Sequence, residues 1–292
     1  MFRTAGPSLS LIALTMIAAD AGRAAPRPAD RAALVTVLSD TGVPARTLSA
    51  KDFIVKEDGK KREVSEARLA SDPLAVALVL DVAQPPRGAA LPTQELRTAA
   101  TAFVQTIHGV EPNAGIALWQ FASAAIATVD FTNKPDDLAG AISRLFPNVQ
   151  STAVLLDAIE AVGKQLATKS TSRRVMVTVD LNSPEGSGDG MLQKAADSVT
   201  NSGATLWAAS IRPGRGTSAN REELLDTMTK VSGGKRFMAA DALALQGILK
   251  KVAASITSQY VVTFNHPGES AAKSTTFETL TGAKVLATPF MR

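Results

Sequence analysis

Two acidic residues stand where an α/β protein would put its chemistry. Asp81 closes the apolar run Leu74 to Leu80, and Asp180 closes Arg174 to Val179. Ligands of open α/β sheets bind beyond the carboxyl ends of the strands. Two carboxylates at that edge offer oxygens to a cation or to the donors of a ligand. The competing reading is that each aspartate caps the turn that follows its strand. Other chemistry is thinly supplied. The chain has no cysteine and two histidines, His108 and His266, which excludes thiolate nucleophiles, disulfides, cysteine-ligated zinc and a three-histidine metal centre. His108 ends an apolar helical face and precedes Gly109, as a contact at a helix C-terminus does. His266 falls in a Pro-Gly turn, so neither imidazole is placed as a base beside the aspartates. Ser232-Gly233-Gly234-Lys235 has Ser-x-x-Lys spacing, but its two glycines interrupt the helix that motif needs and read as a turn. Asp180 to Gly186 invites a calcium-loop reading. Its twelfth position is Met191 and it follows a strand, so a solvated loop is expected. Gly186, Gly188 and Gly190 do not fit the dinucleotide fingerprint. No catalytic residue is assigned.

The elements that must position the aspartates can be read from periodicity. Leu74 to Leu80 is continuously apolar, as a strand covered on both faces requires. Helices are expected over 92–107, Lys134 to Phe146 (with Pro135 in its first turn), Thr152 to Ala167, 191–201, 220–231 and a closing stripe from Leu245 to Ile256. Strands are expected at Gly115 to Phe121, Ile126 to Phe131, Arg174 to Val179, Thr205 to Ile211 and Arg236 to Ala239. Trp119 and Trp207 fall inside them as core residues. Such alternation predicts an α/β class with a doubly wound, mainly parallel sheet between helices. The flanks differ. Ala33 to Leu38, Asp52 to Lys56, Arg62 to Leu69, Tyr260 to Phe264, Thr275 to Thr279 and Lys284 to Thr288 are short strands, and neither flank has enough of them to bury a face alone. They should join as one small β-rich module. Lys60-Lys61-Arg62 and Arg212-Pro213-Gly214-Arg215 read as solvated basic loops, the second near the ligand edge.

The first residues read as an address. Arg3, the uncharged run Leu9 to Ala19 and the small residues Gly22 and Ala24 have the layout of a signal peptide over 1–24, too short to span a membrane. Of the 292 residues, 45 % are hydrophobic and 20 % charged, an ordinary globular composition. The net charge is +4, and cleavage removes two arginines and one aspartate. A balance this weak and scattered does not point to nucleic acid. No membrane span is expected in the mature chain.

Several segments together resemble a von Willebrand factor A (vWA) domain. They are the strand into Asp81, Ser151-Thr152-Ala153-Val154-Leu155-Leu156-Asp157-Ala158-Ile159, the strand into Asp180 and Ser232-Gly233-Gly234. The flanks, with Asp40-x-Gly42-x-Pro44, Glu57-Asp58-Gly59-Lys60 and the tail from Tyr260, are similar to bacterial exported "VWFA-related" proteins. The resemblance implies a metal-ion-dependent adhesion site (MIDAS). In it an Asp-x-Ser-x-Ser loop, a threonine and a second aspartate hold Mg²⁺ and a ligand carboxylate completes the shell. Asp81 matches the loop aspartate, Thr152 the threonine and Asp180 the second aspartate. Ala83 and Pro85 stand where the serines belong.

The expected organisation is a signal peptide over 1–24, an N-terminal β-rich segment over 25–72, a vWA-like domain over 73–258 and C-terminal strands over 259–292. The expected function is that of a non-enzymatic, exported binding module for a protein partner at the cell envelope, periplasmic or extracellular. Asp81, Thr152 and Asp180 are its ligand-contact candidates, and with two hydroxyl ligands missing no metal or other cofactor is expected. One alternative keeps Mg²⁺ on Asp81, Thr152 and Asp180, with water or backbone oxygens replacing the hydroxyls. Another is an exported hydrolase.

Overall fold

The computed structural model describes residues 30–83, 92–148, 152–212, 218–266 and 272–288. The signal-peptide reading of 1–24, Pro85, Ser151 and the Pro213 to Arg215 stretch lie outside them.

A six-stranded sheet forms the centre. Its strands are β5 (Leu74–Asp81), β6 (Gly115–Phe121), β7 (Ala125–Thr132), β8 (Arg173–Asp180), β9 (Thr205–Ile211) and β10 (Arg236–Ala239). They run in the order β10-β9-β8-β5-β6-β7, parallel throughout except for the antiparallel β6–β7 pair. Every residue of β5 is buried, which explains its unbroken apolar sequence: no face of it is left for water. Among the described residues six α-helices cover the sheet: α1 (Thr93–Val110), α2 (Pro135–Ser143), α3 (Leu155–Ala167), α4 (Met191–Ser202), α5 (Ala219–Val231) and α6 (Leu245–Ile256). The buried stripe of α1, Leu96, Ala99, Phe103, Val104 and Ile107, has the three-to-four spacing that turns one helical face inward. Helix α1 packs on α2 and α6, and α3 packs on α4. At the α3–α4 contact a Cβ on Gly163 would lie 2.2 Å from Ser198 Oγ and 2.9 Å from Ser198 O, so only glycine allows that approach.

The flanks do meet. β1 (Asp30–Leu38), β4 (Val64–Leu69), β11 (Tyr260–Asn265) and β13 (Lys284–Ala287) form an antiparallel sheet in the order β13-β1-β11-β4. β2 (Phe53–Glu57), β3 (Lys60–Arg62) and β12 (Thr275–Thr279) form a second, in the order β12-β2-β3. Val35, Phe53, Val55, Tyr260, Val262 and Phe264 are the core of this module, and Phe53 meets Tyr260 edge to face at 5.6 Å.

Several expectations change at element ends. The helix read over Lys134 to Phe146 stops at Ser143, and Phe146 is 67 % exposed. The helix read from Thr152 begins at Leu155. Ala153 is instead bridged in parallel to Glu185. The Pro267-Gly268 turn expected after His266 lies outside the described residues; His266 itself is buried, and its Nδ1 lies 2.7 Å from Glu57 Oε2. Arg62 is not a solvated loop residue either. Its Nε donates to Glu57 at 2.9 Å, and Arg31 reaches the same carboxylate at 3.5 Å. Glu57 is fully buried, and a carboxylate there requires partners that alternation of strand residues does not reveal.

Candidate functional site

Strand register brings the two aspartates together. Leu80 pairs with Val179 across β5 and β8, so Asp81 and Asp180 follow at the same level of the sheet. Both are buried, at 0 % and 1 % exposure. The Asp81 carboxylate is held by backbone: the Ala83 N–H donates to Oδ1 at 2.9 Å and the Leu181 N–H to Oδ2 at 3.1 Å. The capping reading therefore applies to Asp81, and its second bond also ties the end of β5 to the loop after β8. Burial, then the charge of Asp180, pushes the Asp81 carboxyl up to about 7. Burial likewise raises Asp180, with Arg221 opposing it.

Arg221 lies in the first turn of α5, whose N-cap, Ser218, accepts from the Arg221 N–H at 3.4 Å. Its side chain is fully buried. Nη1 donates to Ser183 O at 2.6 Å and lies 3.5 Å from Asp180 Oδ1, while Nη2 donates to Asn182 Oδ1 at 3.3 Å. The Asn182 N–H in turn donates to Asp180 at 2.9 Å. Next to this group, Arg236 on β10 makes a two-pronged pair with Glu222 of α5 at 2.8 and 2.9 Å, and its Nε donates to Ser210 Oγ at the end of β9 at 3.0 Å.

Thr152 is exposed and belongs to a neighbouring segment. The Ala153 N–H donates to Pro184 O and the Gly186 N–H to Ala153 O, each at 2.7 Å, so the Thr152 segment lies against the loop after β8. A Cβ on Gly186 would come within 2.1 Å of Thr152 Oγ1. That loop is not the solvated excursion its composition suggests: Leu181 and Ser183 are buried, and Ser183 Oγ donates to Ala83 O at 3.2 Å. Glu185 accepts from the Ser187 N–H at 3.1 Å, and burial raises its carboxyl.

Beside the rim runs a groove of about 540 Å³ lined by Val82, Gln120, Ile126, Thr128, Phe146 and Asn148, among others, with no charged residue among the described residues of its lining. Ile126, 61 % exposed, and Phe146 stand at its surface, and the Arg97 guanidinium sits 5.3 Å from the centre of the Phe146 ring. The Asn148 N–H donates to Val82 O at 2.8 Å, joining the groove to the residue after Asp81.

The structure sets Asp81 and Asp180 level and lays the Thr152 segment against the loop after β8; Arg221, Glu185, Ile126 and Phe146, which lie around them, are not singled out by the sequence. Arg221 sits in a polar stretch of helix that gives no sign of burial. Phe146 falls within the helix expected over Lys134 to Phe146, which ends at Ser143. The histidines lie elsewhere: His108 Nε2 contacts Ala114 O at 3.1 Å, and His266 belongs to the β module. Among the described residues no group of three or more His, Cys, Asp or Glu side chains is placed to hold a metal ion.

No family model and no curated protein sequence matches this chain. Solved structures do. The vWF domain of the type V pili tip protein Mfa5 from Porphyromonas gingivalis aligns over 64 % of this chain and 96 % of its own, at 13 % identity and a TM-score of 0.52. The PilB minor pilin from Streptococcus sanguinis aligns over 65 % of this chain at 13 % identity and 0.51. Proximal thread matrix protein 1 from the mussel byssus, with a zinc-occupied MIDAS motif, aligns over 68 % at 16 % identity and 0.53. The chain spans only 62 % of the pilin and 49 % of the byssus protein. At these identities the likeness is one of fold.

Proposed function

Starting from the von Willebrand factor A fold of this chain, we propose that it is an exported, non-enzymatic module that binds a protein partner at the cell envelope without a divalent cation. The observation that carries this reading is the state of the two carboxylates. Both oxygens of Asp81 accept backbone N–H groups, and Asp180 faces a buried guanidinium. A Mg²⁺ ion needs near-octahedral oxygen ligation, and the residue two beyond Asp81 is Ala83, with no side-chain oxygen. The donor set does not fit the ion.

Asp81 and Asp180 are buried, so their part is to hold the loops that meet the partner. The contact surface is Thr152 with the adjoining groove, where Ile126 and Phe146 supply apolar area of the kind that anchors interfaces. Pilus and byssus proteins sharing the fold support a binding role. The leader-like sequence over 1–24 supports export. No helix among the described residues is long and apolar enough to cross a membrane.

Capture from envelope extract, with and without EDTA, tests this reading. A partner retained equally in both conditions by the natural chain, and lost with Phe146→Asp, is the expected result. Retention abolished by EDTA, or unaffected by Phe146→Asp and Thr152→Arg alike, contradicts it.

A further inference from the structure

We propose that Arg221 is the resident cation of the rim: its guanidinium, tethered to α5, supplies the positive charge that Asp180 and the loop after β8 require, in place of a bound ion. The inference rests on the metal-independent reading and assigns the residue responsible for it.

Three observations converge on this side chain. First, it is buried without remainder, at 0 % exposure, opposite a carboxylate that is 2 % exposed. A buried arginine is costly unless each charge has its counterpart; Asp180 lies within ion-pair distance at 3.5 Å, and Arg221 also acts on the Glu185 carboxyl. Second, the same guanidinium gathers three oxygens of one loop: Asp180 Oδ1 at 3.5 Å, Asn182 Oδ1 at 3.3 Å and Ser183 O at 2.6 Å. Collecting a carboxylate, an amide oxygen and a main-chain carbonyl around one positive centre is what a hard cation does for a loop. Arg221 does it with directional N–H donors. Third, Asn182 has a backbone φ of 63°, in the left-handed region that costs most residues energy. That turn places its side-chain oxygen on Arg221 and its N–H on Asp180.

A tethered charge differs from a bound ion in two ways. It cannot be lost when the surrounding ion concentration falls, so the rim has no apo state. It also fixes α5 to the end of β8, a joint that the Arg236–Glu222 pair reinforces from β10.

Thermal unfolding of the full chain and four variants tests the assignment. Arg221→Met leaves buried Asp180 with only the weaker influence of Arg236 and is expected to lower Tm by on the order of 10 °C. Arg221→Lys, which keeps the charge but not the fork, should recover part of that loss. Asp180→Asn alone strands the guanidinium and should also destabilise. The double variant Arg221→Met/Asp180→Asn should melt well above the value expected from adding the single losses, because both members of the Arg221–Asp180 pair are removed together and neither is stranded by the other's loss. Strictly additive losses, or an Arg221→Lys protein no more stable than Arg221→Met, overturn the proposal. A Tm of the natural chain raised by millimolar Mn²⁺ and lowered by EDTA would instead overturn the metal-independent reading, and with it the claim that Arg221 stands in for an ion. Additive losses in a chain indifferent to Mn²⁺ would remove Arg221 alone.

Discussion

At the scale of single residues, the rim is a problem in burying charge. Asp81 is held by two backbone donors yet carries a carboxyl pushed up to about 7, first by burial and then by Asp180. Its unfolded value is near 3.8. Between these values the folded chain binds the proton that the unfolded chain has released. This group's contribution to stability is therefore greatest at acid pH, declines as pH rises from about 4 to about 7, and is level above that. Asp81→Asn removes the titration but returns only one acceptor to two N–H donors. The difference in Tm between Asp81→Asn and the natural chain should shift in favour of the variant from pH 5 to pH 8; a constant difference would show that Asp81 does not titrate there. The sequence made both aspartates legible because each ends an apolar strand. It could not reveal Arg221, since a buried arginine in a polar stretch of helix reads like any surface cation until its partner is known. The same holds for Glu57. Its burial among Arg31, Arg62 and His266 depends on strands more than 200 residues apart in the chain. Glu57→Gln, which leaves those groups facing a neutral amide, should cost about 3–5 kcal/mol, measured by urea unfolding.

At the scale of elements, the strands transmit position to the site through register. The Leu80–Val179 pairing sets the two aspartates level, and β8's loop then holds the Thr152 segment through the Ala153–Glu185 bridge. The tightest point of that contact is Gly186, where a Cβ would fall 2.1 Å from Thr152 Oγ1 and 2.7 Å from its Cβ. Gly186→Ala must therefore push the two segments apart, at about 1–3 kcal/mol, and partner binding should weaken with little change in the sheet. Unchanged affinity would place the contact surface away from Thr152. The α3–α4 packing is equally intolerant at Gly163, and Gly163→Ala should lower Tm without affecting binding. Strand and helix types were readable from apolar spacing, whereas ends were not. Helix α2 stops at Ser143 and α3 starts at Leu155, and between them Phe146, Pro147 and Asn148 line the groove while Ala153 pairs with the loop after β8. Those are tertiary contacts, and no local signal at Phe146 or Thr152 announces them.

At the scale of the whole molecule, the vWA-like sheet and the β module are closed by residues distant in sequence. β11 lies between β1 and β4, and Arg173 joins Glu111, the Asp72 carbonyl and the Ile256 carbonyl around the entrance of β8. Removing residues 260–292 takes away Tyr260, Val262 and Phe264, three of the eight buried residues of the module's core. The expected result is loss of the module, read as increased dye binding by exposed apolar surface and rapid proteolysis of residues 30–72; a truncated chain as protease-resistant as the full one would contradict this architecture. That the flanks must pair was legible from their insufficiency: too few short strands on either side to bury a face. Their strand order was not, because alternation fixes which face is buried and leaves open which neighbour covers it. The rim likewise gathers its parts from β5, β8, α5 and the segment before α3, and its charge balance is a property of the assembled fold. Calorimetric titration of the purified chain with Mn²⁺ and Mg²⁺ measures that balance most directly. No saturable heat at millimolar metal, in the natural chain or in Asp81→Ala, is the result expected of a rim neutralised by its own arginine; sub-millimolar binding that Asp81→Ala abolishes would contradict it.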